Sequence, residues 1–412
     1  MEQYDRLYRL YETVDTETLR AYQEVVDLFP PLSSTVALDQ WERAKTELDE
    51  RKAAVVERFP EPYAELAARL TREEAFTALD LYSKYGRTVN VLVLDVDETL
   101  RSAGDTDNEI PRHTLYLLTE FHERGVPIVV CTGQTLENVK GFMIQGLGNE
   151  VVSSGSMSIV YETGNAVFTP NHGADTKRLL YERLDPVIVE TFDDVRGRVL
   201  SAAPDSVRHG CHLQGNEFNV TIKPNAEVGS DAAVAVIDEA IRYFCGLIGE
   251  SLAAAVDVDV ADPALFARTY FATDPEIAAV FEAGGVAHDG DLDSAPSEFL
   301  DALRRLDVGY YEGDAAELVS LELDKPTGVR EALDVLDIGD PFALAMGDSK
   351  SDLRVMEWLA DADCGIAAAP SHASQAVLDH VNARDELVYE AGEASTVLHI
   401  AYGMELLAGV EE

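Results

Sequence analysis

Apolar and polar positions alternate in two different ways along this chain, and the change falls near Val89. Before it, apolar residues recur at helical spacing. Asp15-Thr16-Glu17-Thr18 supplies capping and first-turn residues for a run reaching about Leu28, which Pro30-Pro31 stops. A second helix is predicted from Asp39 to about Phe59, ending at Pro60, and a third from about Glu61 to Tyr85. In the second, Trp41, Ala44, Leu48, Ala53, Val55 and Val56 stand among many charges as one apolar stripe that must be covered. These helices are expected to pack on the domain that follows or on a second copy of the chain, giving a homo-oligomer.

From Val89 the pattern is that of buried strands. VNVLVLD (89–95) and VPIVVC (126–131) are continuous apolar runs, separated by a polar loop and a helix over about Arg112–Arg124. Much later come PFALAM (341–346) and CGIAAA (364–369). Strands buried on both faces and alternating with helices predict an α/β fold with a parallel sheet covered on both sides. In such sheets ligands bind beyond the carboxyl ends of the strands. Those ends carry Asp95, Thr132, Asp348 and Pro370.

Between Thr132 and Pro341 the texture is mixed. Hairpin-like stretches are predicted at 157–161 and 166–169, a helix over about 176–202, a strand at 217–223 and a helix over about 231–248. A strand near 252–260, a Gly/Asp-rich loop (284–296), a helix (296–306) and strands near 307–311 and 317–323 complete it. This reads as an α+β module inserted into the parallel core.

Charge sharpens the picture. Asp+Glu 76 against Lys+Arg 32 gives a formal net charge of −44, and the basic residues are 8 Lys beside 24 Arg. Such an excess makes the folded state repel itself unless salt screens it. Acid spread along the whole chain with lysine scarce looks like an intracellular protein of an extreme halophile. Nucleic-acid binding is not expected, because no basic stripe exists to neutralise phosphates. Four widely spaced cysteines form no CxxC pair and suggest neither a disulfide framework nor a zinc site. No signal-type segment opens the chain and no apolar run of membrane-spanning length occurs, so a cytoplasmic protein without membrane contact is expected.

The strongest chemical signal is Asp95-Val96-Asp97-Glu98-Thr99-Leu100 at a strand end. Two carboxylates two residues apart on a loop can both reach one bound phosphate, one as nucleophile and the other handling the leaving-group proton. Thr132-Gly133 ends the next strand and offers a hydroxyl to a phosphate oxygen. Lys325 is one of the few lysines in an arginine-rich chain, a point charge suited to anchoring phosphate and a carboxylate together. Gly347-Asp348-Ser349-Lys350-Ser351-Asp352 adds an acidic pair at i, i+4, whose hard oxygens suit Mg²⁺.

In this order the motifs resemble those of the haloacid dehalogenase (HAD) superfamily of aspartyl phosphotransferases, over about residues 89–395. The resemblance implies a Rossmann-like core with Asp95 as nucleophile and Asp97 as general acid and then base. It also implies Mg²⁺ on Asp95, the Asp97 carbonyl and Asp348, its waters steadied by Asp352, with Thr132, Gly133 and Lys325 at the phosphoryl group. The spacing of 193 positions from Thr132 to Lys325 leaves room for a cap, as in the Cof-like and sucrose-phosphate-phosphatase-like group. The implied plan is a helical extension (1–87), a catalytic core (88–156 and 318–412) and a C2-type cap (157–317). The implied activity is Mg²⁺-dependent hydrolysis of a small phosphorylated metabolite such as a sugar phosphate. The alternatives are a phosphotransferase or phosphomutase of the same superfamily, or a regulatory protein that binds a partner through its helical leader. Three positions depart from the Cof-like pattern: Gln134 stands where arginine is usual, Ser154-Gly155 where Asn-Gly is common, and Pro370-Ser371 where Asn-Ala is usual. His209-Gly210-Cys211-His212 has too few partners for a zinc site and is expected to be loop, as is the acidic stretch 289–293.

Overall fold

The computed structural model describes residues 61–101, 110–215 and 218–411, together with Gln3, Tyr4, Leu7, Tyr8, Tyr11, Thr46, Glu50, Ala53, Val55, Val56, Glu57 and Phe59. The helix expected at 15–28 lies outside the described residues, as does most of that at 39–59. The described strands are, in chain order, β1 (Val91–Asp95), β2 (Ile128–Cys131), β3 (Met157–Tyr161), β4 (Ala166–Phe168), β5 (Lys177–Leu179) and β6 (Cys211–Gln214). They continue with β7 (Asn219–Pro224), β8 (Leu306–Tyr311), β9 (Ala315–Ser320), β10 (Ala343–Met346), β11 (Gly365–Pro370) and β12 (Leu387–Tyr389). The chain divides into two compact units: residues 1–160, 168–177 and 329–412 form the first, and 161–167 with 178–328 the second. The short strands β4 and β5 lie at the points where the chain passes from one unit to the other.

The first unit is an α/β structure around a parallel sheet ordered β12–β11–β10–β1–β2–β3. Every residue of β1, β2, β3, β10 and β11 is buried. Burial of both faces is why these strands read as unbroken apolar runs. Residues 157–161, expected in the inserted module, belong to this sheet instead: Ile128 lies opposite Met157 in a parallel pairing. All five of these side chains are buried, so a hairpin with one solvated face would have wasted them.

The single helix expected over 61–85 is two, Glu61–Arg69 and Arg72–Tyr85. Thr71 starts the second through a reciprocal cap, its hydroxyl accepting from the Glu74 N–H (3.2 Å) while its own N–H donates to the Glu74 carboxylate (2.6 Å). Both helices pack on the C-terminal helix Ala394–Glu411, burying Leu66, Ala67, Ala75, Ala78 and Leu79. They belong to the first unit's core. A buried polar chain crosses this junction: His399 Nδ1 lies 3.2 Å from Glu74 Oε1, and the two Nε2 atoms of His113 and His399 are 2.9 Å apart.

The second unit carries the antiparallel sheet β6–β7–β9–β8. Helices Pro186–Arg198 and Ser230–Val256 cover one face, with Phe192, Ile222, Phe244 and Leu318 fully buried in its core. The helix expected from 176 begins only at Pro186, capped by Asp185, whose carboxylate accepts from the Val187 N–H (2.9 Å). The strand expected at 252–260 does not form. Ser251-Leu252-Ala253-Ala254-Ala255 instead continues the long helix, as alanine's propensity favours, until Asp257 adopts φ +52°. His209 and Gly210 end a short helix and Cys211 and His212 begin β6, where loop was expected. All four cysteines are buried free thiols. No helix among the described residues is long and apolar enough to cross a membrane.

Candidate active site

Parallel pairing aligns the carboxyl ends of the central strands of the first unit. Asp95 closes β1 opposite Cys131, so Thr132 and Gly133 follow directly beside it. Leu94 lies opposite Met346 on the other flank, which delivers Gly347 and Asp348 to the same edge. Asp95 and Thr132 are buried, and Gly133 is exposed. The polar residues predicted from strand ends therefore meet at one place, beyond the β1 carboxyl end.

Asp95, Asp348 and Asp352 bring one oxygen each within 4.8 Å of one another. Asp352 reaches this cluster because Ser349 caps the helix Lys350–Asp361. The Asp352 carboxylate accepts from the Ser349 N–H (3.2 Å) and hydroxyl (2.6 Å). Its close approach depends on Gly347, where an added Cβ would stand 2.2 Å from the Asp352 Cβ. Burial and then the negative charges of Asp95, Asp348 and Asp352 hold the Tyr389 phenol well above its ordinary range. That hydroxyl donates to the Thr99 carbonyl (3.2 Å). Three carboxylates converging at a mostly buried spot are the donor set that a hard, oxygen-seeking dication such as Mg²⁺ fits. The residues present are compatible with that ion.

Asp97 turns to a different set of partners. Gln134 Nε2 donates to both of its carboxylate oxygens, at 3.0 and 2.7 Å. Arg101 donates through Nε (3.0 Å) and through its terminal nitrogen. The Gln134 backbone N–H donates to Thr132 Oγ1 (3.1 Å), which leaves the Thr132 hydroxyl proton for another acceptor. Glu98 follows with φ +58°, a left-handed conformation unusual for a side chain of its size. His372, in the loop after β11, lies 3.0 Å from the Glu98 carbonyl and 3.6 Å from its carboxylate.

Lys325 falls in the second unit, buried at the start of the helix Lys325–Val335. Burial raises the nearby Glu317 carboxyl above its usual range, while hydrogen bonds from Asn219 and Thr221 and the charges of Lys325 and Lys223 pull it back. The first unit by itself thus gathers Asp95, Thr132, Asp348 and Asp352, with Asp97 and Gly133 on the adjoining loops. Arg101, Glu98, His372 and Tyr389 were not singled out from sequence. Arg101 could have been, as a cation four residues after Asp97. For Tyr389 and His372 no sequence signal exists, since only the fold brings them there.

No family model matches the chain, and no curated protein matches it. Solved structures do. The trehalose-6-phosphate phosphatase of Aspergillus fumigatus is 12% identical, over 80% of this chain and 97% of that one, with a TM-score of 0.44. A protein of Thermotoga maritima is 15% identical over 76% of this chain and 97% of its own, with a TM-score of 0.41. A HAD subclass IIB sugar phosphatase is 14% identical over 77% of this chain and the whole of its own, with a TM-score of 0.44. Two of these are phosphatases by name, and one of the two is described as a HAD-superfamily protein.

Proposed function

We propose that the protein is a HAD-type phosphatase that hydrolyses a small phosphorylated metabolite, a sugar phosphate or similar, with Mg²⁺. The observation that carries this reading is the meeting of Asp95, Asp348 and Asp352 at the β1 carboxyl end, with Thr132 on the neighbouring strand end.

In this mechanism a carboxylate oxygen of Asp95 attacks phosphorus and the bond from phosphorus to the leaving oxygen breaks. Asp97 gives its proton to that oxygen, which leaves as an alcohol. Asp97, now a carboxylate, takes a proton from water as the water oxygen attacks the phosphoryl group on Asp95. Inorganic phosphate departs and Asp95 returns to its starting form. The Thr132 hydroxyl, whose lone pair already accepts from Gln134, donates its proton to a phosphoryl oxygen. Held by Asp95, Asp348 and Asp352, Mg²⁺ would supply positive charge to neutralise the transferring group. The motif order assigns Lys325 to the phosphoryl oxygens, and this assignment rests on the sequence.

The test is release of inorganic phosphate from a panel of phosphorylated metabolites at high KCl with Mg²⁺. Wild type should hydrolyse at least one member, and Asp95→Asn, which keeps shape but removes the attacking charge, should lose several orders of magnitude in turnover while staying folded. An Asp95→Asn protein retaining more than a few per cent of turnover would overturn the covalent route.

A further inference from the structure

We infer that Gln134 and Arg101 are positioning residues that together aim the Asp97 carboxylate at the leaving-group oxygen. This inference rests on the phosphatase reading above. It concerns how the proton donor of that reaction is kept in place.

Asp97 needs such help. Its side chain is 47% exposed, on a loop, with two free torsions and no cap or strand to fix it. An acid catalyst works only when it stands within hydrogen-bond reach of the atom it protonates, so a freely turning carboxylate forfeits most of its effect. The structure supplies two restraints, one from the same loop and one from the loop after β2. Arg101, four residues along the chain and only 13% exposed, grips Oδ1 through Nε and a terminal nitrogen, a planar fork. The guanidinium is itself fixed over the Phe142 ring, 4.7 Å from the centroid. Gln134 comes from the β2 loop and touches both carboxylate oxygens.

Gln134 does a second thing at once. Its backbone N–H holds Thr132 Oγ1, so one residue sets both the hydroxyl meant for the phosphoryl group and the carboxylate meant for the leaving oxygen. Those two groups act on opposite ends of one breaking bond. The neutral amide also suits the position. With Arg101 already on Oδ1, a second cation would over-hold the carboxylate, whereas an amide orients it without adding charge.

A leaving-group comparison separates aim from mere stability. The probes are p-nitrophenyl phosphate, whose leaving oxygen departs without a proton, and an alkyl monoester, glycerol phosphate or whichever panel member wild type hydrolyses, whose leaving oxygen needs one. Gln134→Leu and Arg101→Met should each lower kcat on the alkyl ester by about a hundredfold, the lower end of what a placed proton donor contributes. On p-nitrophenyl phosphate they should change kcat only a few-fold, with KM nearly constant on both. Arg101→Lys should recover part of the alkyl-ester loss. Gln134→Glu keeps the shape and turns the donor into an acceptor, so it should match Gln134→Leu or be worse. Circular dichroism at high KCl identifies any variant that fails to fold, in which case Gln134→Glu and Arg101→Lys decide. Equal losses on the two probes, or none, would overturn the positioning role. Wild type inactive on both probes and on the metabolite panel would instead sink the phosphatase reading. Asp97→Asn showing the leaving-group dependence while Gln134 and Arg101 variants behave as wild type would sink the inference alone.

Discussion

Three carboxylates whose oxygens lie within 4.8 Å of one another repel when no cation stands among them. At that separation and an effective dielectric constant of about 20, each pair costs about 3.5 kcal/mol. Asp348→Asn is the informative perturbation. It keeps the side chain's shape, removes one charge, and leaves the Ser349–Asp352 cap untouched. Asp348 is half-buried, each of the three carboxylates also has other partners, and molar salt shortens the Debye length to about 3 Å, so roughly 1–2 kcal/mol of relief should survive. A change of 1 kcal/mol moves the midpoint by about 2–4 °C for a domain of 150–250 residues. In EDTA the variant should therefore melt about 2–8 °C above wild type, a gain obtained by discarding a functional group. Millimolar Mg²⁺ should reverse the order, because it stabilises only the protein that binds it. Thermal unfolding by circular dichroism at fixed ionic strength, with and without Mg²⁺, reads both effects without any substrate. A variant less stable than wild type in EDTA, with Mg²⁺ raising both equally, would refute the cluster as a cation site.

Gly347→Ala forces a Cβ to 2.2 Å from the Asp352 Cβ, and the overlap should cost at least about 2 kcal/mol; an unchanged urea midpoint would contradict it. Burial works against Glu74's charge, but the His399 hydrogen bond and charge and the two Thr71 donors outweigh it, so its carboxyl ionises below the ordinary range. A depressed carboxyl contributes stability above the unfolded value that is lost as pH falls through the folded one. The urea midpoint should accordingly drop on acidification, and less steeply in Glu74→Gln; parallel slopes would contradict this. Because −44 charges become mutually visible as the Debye length grows to about 10 Å near 0.1 M salt, helical circular dichroism should be lost as KCl is diluted from molar. A signal flat with salt would remove the halophile reading.

The strands were legible wherever burial is two-sided. β1, β2, β10 and β11 read as continuous apolar runs, and their terminal Asp95, Thr132 and Asp348 pointed to the site because strand ends converge in a parallel sheet. Met157–Tyr161 carries the same signal, but it is only five residues long and does not end in a reactive group, so it looked like part of the insert. The break at Leu70 was legible in principle from Thr71 and Glu74, a capping box inside an otherwise continuous helical period. The hold of Gln134 and Arg101 on Asp97 was not. Gln134 stood out only as a departure from a pattern, and its partner became visible once β1 and β2 were side by side. The packing of residues 61–85 against Ala394–Glu411 also bears on the helical extension read at 1–87. A chain cut at Gly86 would lose part of its own core, so removal of the leader should stop before Glu61.

The central position of β1 bears on how the chain is made. Its neighbour β2 follows soon after, but on the other side Val91 pairs with Ala343, a separation of 343 − 91 = 252 residues. On a ribosome, therefore, the innermost strand waits with one edge open while the whole of 178–328, which has its own buried core, is synthesised. Long-range parallel pairing of this kind closes slowly. An unfinished or truncated chain presents the apolar edge of Val91–Asp95 to any other strand within reach, the usual start of misassembly. The acidic excess then gains a second use: half-made chains carrying so much like charge keep one another at a distance until residues 343–370 arrive.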